Sequence, residues 1–223
     1  ESDVTDRFTK LNRLAGELAC RARDNTDPGV LIAGSLPPYF GSYRPDLTHD
    51  FERIEPMYRE QASLLAPYVD LFICETMSTA DEARGAVSGA ASTGKPVWVS
   101  WTVNDDASGT LRSGESLGEA WAGLAGLPVS GLLLNCSAPE AIGAAIPELA
   151  GLSQWPVGGH GNAFGGVPEG WFGKNDGLDV LGKRDDLHPE GYARQVAKWI
   201  DAGAKLVGGC CEIGPAHIAR MRD

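Results

Sequence analysis

A chain of 223 residues, with 43% hydrophobic and 22% charged residues, has the composition of a globular protein that can bury a sizeable core. Its formal net charge of −11 argues against nucleic acid or an anionic membrane as partner, because both bind through patches of Lys and Arg. No run approaches the roughly 18 apolar residues of a transmembrane span, and five cysteines, an odd number, disfavour a secreted disulfide framework, so we expect a protein of the reducing cytoplasm.

The chain opens on a predicted helix, residues 5–23, and short apolar runs then alternate with helical patterns. The runs are apolar throughout, which is typical of parallel strands that are buried on both faces. The predicted strands are residues 30–33, 71–74, 97–101, 131–134, 155–159 and 205–207.

Five further helices lie between these strands. Three follow a capping-box pattern, in which Ser or Thr precedes Glu by three residues. These three are 83–92 after Thr79 and Glu82, 120–124 after Ser116 and Glu119, and 141–149 after Ser137 and Glu140. The other two are 51–65 and 190–202, and Pro215 is a good first residue for a last helix that includes His217.

Alternating strands and helices predict an α/β fold with a parallel sheet. A closed (β/α)₈ barrel has eight strands and typically about 250 residues. Because the chain has six predicted strands, opens on a helix and lacks an initiator Met, we expect a single domain, residues 1–223, of a TIM-type barrel without about two N-terminal βα units. The alternative is a complete six-stranded doubly wound sheet, but no dinucleotide-binding motif follows any predicted strand.

Two connections stand out by length and composition. Residues 161–188 are rich in Gly, include Trp171 and Phe172, and show no clear periodicity. Loops of this length in compact domains are usually functional or disordered. A second, polar loop covers residues 104–115.

Three cysteines lie at the ends of two predicted strands. Cys136 follows the fourth strand, and Cys210 and Cys211 follow Gly208 and Gly209 at the end of the sixth. In (β/α) proteins the carboxyl ends of the strands carry the active site. Adjacent side chains on a strand point to opposite faces, so the pair converges only if the backbone bends, and glycines allow such a bend.

Three thiolates and one open position are how a protein holds zinc for catalysis. A substrate thiol in the open position would lose its proton and become a nucleophile. Buried free cysteine is also common in cores, and an adjacent pair can be a packing or redox feature. Cys20 and Cys74 are assigned to the core, whereas the trio with its preceding glycines favours zinc.

These residues resemble the homocysteine S-methyltransferase family, in particular its short bacterial members. The resemblance rests on GGCC at 208–211 and NCS at 135–137. Supporting matches, in the same order along the chain, are AGSLPPY at 33–39, ETM at 75–77, GNA at 161–163 and PAHI at 215–218. The family implies a zinc-dependent (β/α)₈ barrel that transfers a methyl group from an onium donor to homocysteine, giving methionine.

The resemblance also implies roles for single residues. Cys136, Cys210 and Cys211 would be the ligands of zinc (Zn²⁺), and Glu75 would hold the amino group of homocysteine. The remaining substrate-binding candidates are Asn135 and Asn162, which would line the site, and Gly34 and Ser35, which begin the loop below the donor pocket. The family's first strand, with its Asp-Gly-Gly-type turn, and its second strand are not in this sequence.

The partners implied are homocysteine and a cationic methyl donor, and a homo-oligomer is possible. Cationic donors are commonly held against aromatic faces, and the candidates for this contact are Tyr39, Phe40, Tyr43, Trp101 and Trp171. We expect a sulfonium such as S-methylmethionine, with S-adenosylmethionine, dimethylsulfoniopropionate and betaine as alternatives. Other functions left open are a barrel fed by a cobalamin or folate module, of which this chain shows none, and a non-catalytic zinc-holding or redox scaffold.

Overall fold

Six parallel strands form one sheet in the computed structural model, which describes residues 2–167 and 181–222 and, of these, the side chains from residue 6 onward. The strands are β1 (Ala33–Leu36), β2 (Leu71–Met77), β3 (Val97–Trp101), β4 (Val129–Asn135), β5 (Val157–Gly161) and β6 (Leu206–Gly209). Each strand pairs with the next one along the chain. A doubly wound sheet reverses its strand order, so that alternative is wrong, and the α/β fold has the order of a TIM-type barrel.

Helices connect successive strands, as the predicted βα alternation requires. They are α1 (Ser2–Asp24), α2 (Phe51–Leu65), α3 (Ala80–Ala91), α4 (Leu117–Ala122), α5 (Pro139–Leu152), α6 (Pro189–Asp201) and α7 (Pro215–Arg222). In the part of the chain that the structure describes, none of them is long and apolar enough to cross a membrane.

Each strand divides its side chains between two faces of the sheet. The outer face packs with the helices into one apolar core and includes Phe72, Cys74, Val97, Val99, Trp101, Leu132 and Leu134. The inner face carries Ile73, Glu75, Trp98 and Leu133, which line a common cavity. The assignment of Cys74 to the core is confirmed, and Trp101, one of the candidates for donor contact, is fully buried in the same core.

The first strand lies three residues later than predicted. Val30 and Leu31 are 53% and 68% exposed, and the N–H of Val30 donates to Asp27 O in a turn. The strand that pairs with β2 is Ala33–Leu36 instead. A Cβ atom at Gly34 would come within 2.8 Å of the Phe72 ring, so glycine lets β1 approach its neighbour. Apolarity therefore misplaced the strand, because small residues carry its pairing.

Two of the three predicted helix caps form at the predicted residues. Ser116 and Glu119 make both hydrogen bonds of a capping box, and Thr79 accepts the N–H of Glu82. The third prediction is wrong, because α5 begins after Ala138 with Pro139 in its first turn. Ser137 accepts the N–H of Val103 at 3.0 Å instead. Its hydroxyl is therefore used between two loops rather than at a helix end.

Cys20 and His217 both lie in helices, as predicted. Cys20 is half-buried rather than part of the core, and its thiol donates to Tyr68 O at 3.3 Å. His217 is buried in α7, where it contacts Gly214 N at 3.1 Å and Leu187 O at 3.1 Å. Both side chains therefore fasten a helix to a neighbouring loop.

Candidate metal and substrate site

Cys136, Cys210 and Cys211 come together at the carboxyl ends of β4 and β6. The Sγ atoms of Cys136 and Cys210 are 2.8 Å apart, and each lies 3.8 Å from that of Cys211. All three thiols are free. Within the described residues, they form the one group of three or more potential ligands whose atoms lie within 4.8 Å of one another.

These distances can be compared with a tetrahedral metal centre. A Zn–S bond of about 2.3 Å places two sulfurs of a tetrahedron about 3.8 Å apart. The two separations that involve Cys211 match this value, and the third is shorter. The thiols of Cys136 and Cys210 would need to separate slightly, so the donor set fits zinc with a fourth position left for a ligand.

The adjacent pair converges because the chain turns directly after β6. Cys210 still donates its N–H to Gly161 O on β5, at 2.9 Å, and Cys210 O accepts from Ile213 N at 3.1 Å in the turn. A Cβ atom at Gly209 would lie 2.1 Å from the side chain of Ile213. The predicted bend is present, but Gly209 is needed for space rather than for a positive φ.

Protons are shared unequally among the three thiols. Hydrogen bonds from Cys136 and Cys210 lower the pKa of Cys211 to about 3, whereas hydrogen bonds with Cys136 and Cys211 raise the pKa of Cys210. Cys136 is buried and leaves β4 with a φ of 51°. Within the cluster, Cys211 is therefore the thiol whose ionised form the neighbouring sulfurs favour.

Glu75 and Ser35 meet on the inner face. The hydroxyl of Ser35 donates to Glu75 Oε1 at 2.5 Å. Burial raises the pKa of the Glu75 carboxyl. The carboxyl lines a cavity of about 310 Å³ with Trp98, His160 and Gly208 among its other walls. Gly34, in contrast, packs on the outer face against Phe72.

Asn135 is fully buried at the end of β4, next to Cys136. Its Oδ1 accepts the N–H of Thr76 and the hydroxyl of Ser100, both at 2.8 Å. Its Nδ2 donates to Thr76 Oγ1 at 2.8 Å. Three strand ends are thereby fixed to one another directly beside the first of the clustered cysteines.

Asn162 lies in the loop after β5 and is also buried. Its Oδ1 accepts the N–H of Phe164 at 3.2 Å, and its own N–H donates to Ser137 O at 3.1 Å. Its Nδ2 has no hydrogen-bond partner among residues 2–167 and 181–222. A buried donor without a partner is costly, so this amide is available to a ligand.

His160 was not assigned a role from the sequence, because it shows no metal-ligand spacing. It stands on β5 with its Nε2 atom 3.3 Å from Ser100 Oγ, and it lines the same cavity as Glu75. Burial lowers the pKa of His160 to about 4, so the ring is neutral at physiological pH. The available sequence signal was its position near the carboxyl end of a predicted strand.

The aromatic residues that are candidates for contact with the donor lie in different parts of the molecule. Tyr39 donates to Met57 O at 2.9 Å, and Phe40 packs edge-on against His49, so both contact α2 or the loop before it. Tyr43 instead lies near the cysteine cluster: burial raises the pKa of its hydroxyl, and charge on Cys136 raises it further. Trp171 lies outside the described residues, as does most of the Gly-rich connection around it.

Similarity to known proteins identifies the family of the chain that carries this cluster. The profile of the family described as homocysteine S-methyltransferase matches residues 1–223. The chain belongs to the homocysteine S-methyltransferase family. The homocysteine S-methyltransferase of Escherichia coli is 31% identical over 224 residues, which are 92% of this chain and 68% of that enzyme. The predicted family and methyltransferase enzyme class are thereby confirmed.

Other relatives differ in length. The methionine synthase of Mycobacterium tuberculosis is 29% identical over 98% of this chain, but the chain spans only 18% of that protein. Among solved structures, the metallated form of the homocysteine methyltransferase MmuM from Escherichia coli matches with a TM-score of 0.75 and 29% identity. That match covers 96% of this chain and 70% of the other. It supports a partial TIM-type barrel for the six strands.

Proposed function

We propose that the protein transfers a methyl group to homocysteine, with zinc held by Cys136, Cys210 and Cys211. The observation that carries the proposal is the convergence of these three free thiols in a member of a homocysteine methyltransferase family. Zinc, when bound, would keep the homocysteine thiol ionised at neutral pH, because a coordinated thiol loses its proton.

Glu75 is proposed to bind the ammonium group of homocysteine. Its carboxyl lies in the inner cavity, where burial disfavours an isolated negative charge. An ammonium partner offsets that cost, and Ser35 fixes one carboxyl oxygen so that the other is left for the substrate. The Nδ2 group of Asn162 is proposed to donate a hydrogen bond to the substrate carboxylate, since this donor is buried without a described partner.

Asn135 and Gly34 are proposed to act through position. Asn135 fixes the strand ends around Cys136, and Gly34 brings β1 close enough for Ser35 to reach Glu75. Neither residue needs to touch the substrate for this. The role differs from direct substrate binding, although the residues are those that the family resemblance implies.

In the proposed reaction the homocysteine sulfur attacks the methyl carbon of the donor. A new S–C bond forms as the donor's bond to that carbon breaks, and the electron pair leaves with the donor. With a sulfonium donor the leaving molecule is a neutral thioether. Opposite charges are lost in this step, so a water-poor pocket favours it. No proton moves, so no general base is required.

We propose a sulfonium such as S-methylmethionine as the donor, because the chain spans about two thirds of a stand-alone enzyme of its family. A second candidate is a cobalamin-bound methyl group, which the similarity to a short part of methionine synthase favours. The test supplies zinc-loaded protein and homocysteine with one donor at a time. The panel is S-methylmethionine, S-adenosylmethionine, dimethylsulfoniopropionate, betaine and methylcobalamin, and methionine is measured by mass spectrometry.

The outcomes of this assay separate the alternatives. Methionine from a sulfonium alone supports the proposal, and methionine from methylcobalamin alone supports the second candidate. A protein that binds one zinc per chain but forms methionine with no donor would be a scaffold. A folded, reduced protein that binds no zinc would exclude the metal site altogether.

Three further features are proposed for the whole protein. The six strands would form one domain with the architecture of part of an eight-stranded barrel, because β1 and β6 each have one described strand neighbour. The protein would work in a reducing compartment such as the cytoplasm, which keeps its thiols free. A homo-oligomer stays a prediction, and sedimentation measurements with and without homocysteine test it.

A further inference from the structure

The chain directly after β4 is held by the loop that follows β3. The two segments, residues 136–138 and residues 102–112 (the β3 loop), leave the sheet side by side, because β3 and β4 are neighbouring parallel strands. Residues of the β3 loop hydrogen-bond to each of the three residues after β4, and the paired residues lie 33 or 34 positions apart in sequence. These contacts therefore link one proposed metal ligand to a distant loop that carries none.

Both backbone polar groups of Cys136 have partners on neighbouring strand ends. Its N–H donates to His160 O on β5 at 3.2 Å, and its C=O accepts the hydroxyl of Thr102 at 3.3 Å. The side chain of Thr102 is fully buried. Because the Cα–Cβ bond has a fixed direction relative to the backbone, these two contacts determine the direction in which the Cys136 side chain leaves the chain.

The two residues after Cys136 are held from the same loop. The hydroxyl of Ser137 accepts the N–H of Val103 at 3.0 Å, and the carboxylate of Asp105 accepts the N–H of Ala138 at 2.7 Å. Ala138 precedes α5 and supplies no side-chain cap, so Asp105 places a negative charge at that helix end, where it is favourable. The segment cannot shift without breaking contacts at three consecutive residues.

Arg112 closes the β3 loop around Thr102. Its Nε donates to Thr102 Oγ1 at 3.4 Å, and its Nη2 donates to Asp105 Oδ2 at 3.1 Å. The side chains of Arg112 and Asp105 are only 11% and 25% exposed, and a guanidinium with two such contacts is well fixed. Since Nε–H can only donate, the Thr102 hydroxyl accepts from it, and its own proton is left for an acceptor such as Cys136 O.

The backbone of Cys136 needs this support. Its φ is 51°, a conformation that is unfavourable for a residue with a side chain and persists only where the surroundings enforce it. The other two cysteines are held separately, because Cys210 N–H donates to Gly161 O and Cys211 O accepts from Ala163 N. Relaxation of Cys136 alone would therefore move its sulfur relative to the other two.

We propose that Thr102 is a positioning residue for Cys136 as a metal ligand, and that Arg112 and Asp105 hold Thr102 and the following chain in place. The β3 loop thus directs the sulfur toward Cys210 and Cys211 before the cation arrives. Partners that orient metal ligands typically contribute about 10–100-fold to metal affinity. The inference rests on the proposed zinc site and adds residues that contact the ligand rather than the ion.

The test measures the zinc affinity of the reduced full chain by competition with a chelating dye. Thr102→Val keeps the shape of the side chain and removes the hydroxyl, and we expect affinity to fall by about 10-fold or more. Thr102→Ser keeps the hydroxyl and should stay near the wild type, whereas Arg112→Met should lower affinity less than Thr102→Val. With cobalt in place of zinc, Thr102→Val should shift the thiolate-to-metal absorption band, which a purely structural role would not do.

Thr93→Val is the matched control. The hydroxyl of Thr93 also donates to a backbone carbonyl, Ala90 O at 2.7 Å, but this residue precedes β3 and lies at the opposite end of the sheet. The variant should leave zinc affinity and the cobalt spectrum unchanged.

The possible outcomes separate this inference from the proposed function. Wild-type affinity and an unshifted cobalt spectrum in a folded Thr102→Val protein would overturn the inference while leaving the zinc site intact. If Thr102→Val does not fold, Arg112→Met decides in the same way. Failure of the wild-type chain to bind zinc would overturn the inference and the proposed function together.

Discussion

The two faces of the sheet have opposite chemistry although they are built from the same strands. On β4, Leu132 and Leu134 enter the apolar core of the outer face, whereas Leu133 and Asn135 belong to the inner face. The outer face buries carbon atoms against helices, and the inner face gathers Glu75, His160 and Ser100. Alternation along a strand thus assigns stability to one side and ligand chemistry to the other.

The largest expected effect comes from replacing a cysteine by serine, and the result should differ between the proposed metal site and the outer face of the sheet. Cys210→Ser should abolish zinc binding and reduce methionine formation to background, with the fold retained, because three thiolates define the proposed site. Cys74→Ser is the matched variant on the outer face. It should keep one zinc per chain and lose about 1–3 kcal/mol of stability, since it buries a hydroxyl in an apolar core.

Zinc content by elemental analysis and unfolding in urea measure these two variants side by side. Full activity in Cys210→Ser would remove the zinc mechanism. Loss of zinc in a folded Cys74→Ser protein would show that the two faces are not independent.

A cavity in the outer face should affect stability alone. Leu132 is fully buried, and Leu132→Ala should lower the free energy of unfolding by about 2–5 kcal/mol. Urea titration measures this loss, and zinc stoichiometry without urea should stay at that of the wild type. A change in metal content at full folding would contradict the division between the faces.

A charge removed from the inner face should affect substrate binding. Glu75→Gln keeps the shape of the side chain but loses a charged partner for the substrate ammonium, worth about 1.5–3 kcal/mol. We expect KM for homocysteine to rise by about 10–100-fold, with little change in zinc affinity. Ser35→Ala, which removes only the supporting hydroxyl, should raise KM less. An unchanged KM in Glu75→Gln would exclude the proposed contact.

The smallest effect is a pH dependence of stability near the outer helices. Burial raises the pKa of Glu82 from 4.5 to about 7. A carboxyl whose folded pKa is raised favours folding below its unfolded pKa, and this contribution is lost as pH rises from about 4.5 to about 7. Glu82→Gln should therefore lose less stability over that window than the wild type, as measured by thermal unfolding.

Glu119 provides a control of opposite sign. Its hydrogen bonds with Ser116 lower the pKa of its carboxyl, so its contribution is present above the unfolded pKa and is lost as pH falls. Glu119→Gln should accordingly weaken the fold at neutral pH. Parallel pH profiles for wild type and Glu82→Gln would show that the Glu82 carboxyl does not titrate as described.

Local patterns in the sequence were sufficient for much of the architecture. The apolar run of β3 and the periodicity of α2 predicted both elements with the bounds that the structure has. The Gly-Gly-Cys-Cys run predicted a bend at a strand end, because glycines allow a bend and two adjacent cysteines can bind one ion only if the chain bends. Parallel order followed from alternation of strand and helix.

Features that depend on distant partners could not be predicted in this way. Ser137 has the spacing of a helix cap, but the N–H of Val103 takes its hydroxyl. Asn135 accepts the N–H of Thr76, which lies 59 positions earlier in the chain. Neither partner is implied by local sequence, because each is set by how three strand ends meet in space.

The hydrogen bonds at Asn135 also determine where one proton resides. The N–H of Thr76 can only donate, so the Asn135 atom that it meets is the carbonyl oxygen, and Ser100 must give its single hydroxyl proton to that oxygen as well. Ser100 can then only accept from His160, whose Nε2 therefore carries the ring proton. The other ring nitrogen of His160 keeps its lone pair. The backbone N–H of Thr76 on β2 thus determines, through Asn135 and Ser100, which nitrogen of His160 on β5 is protonated. The unprotonated nitrogen can accept a hydrogen bond, and it disfavours a nearby carboxylate.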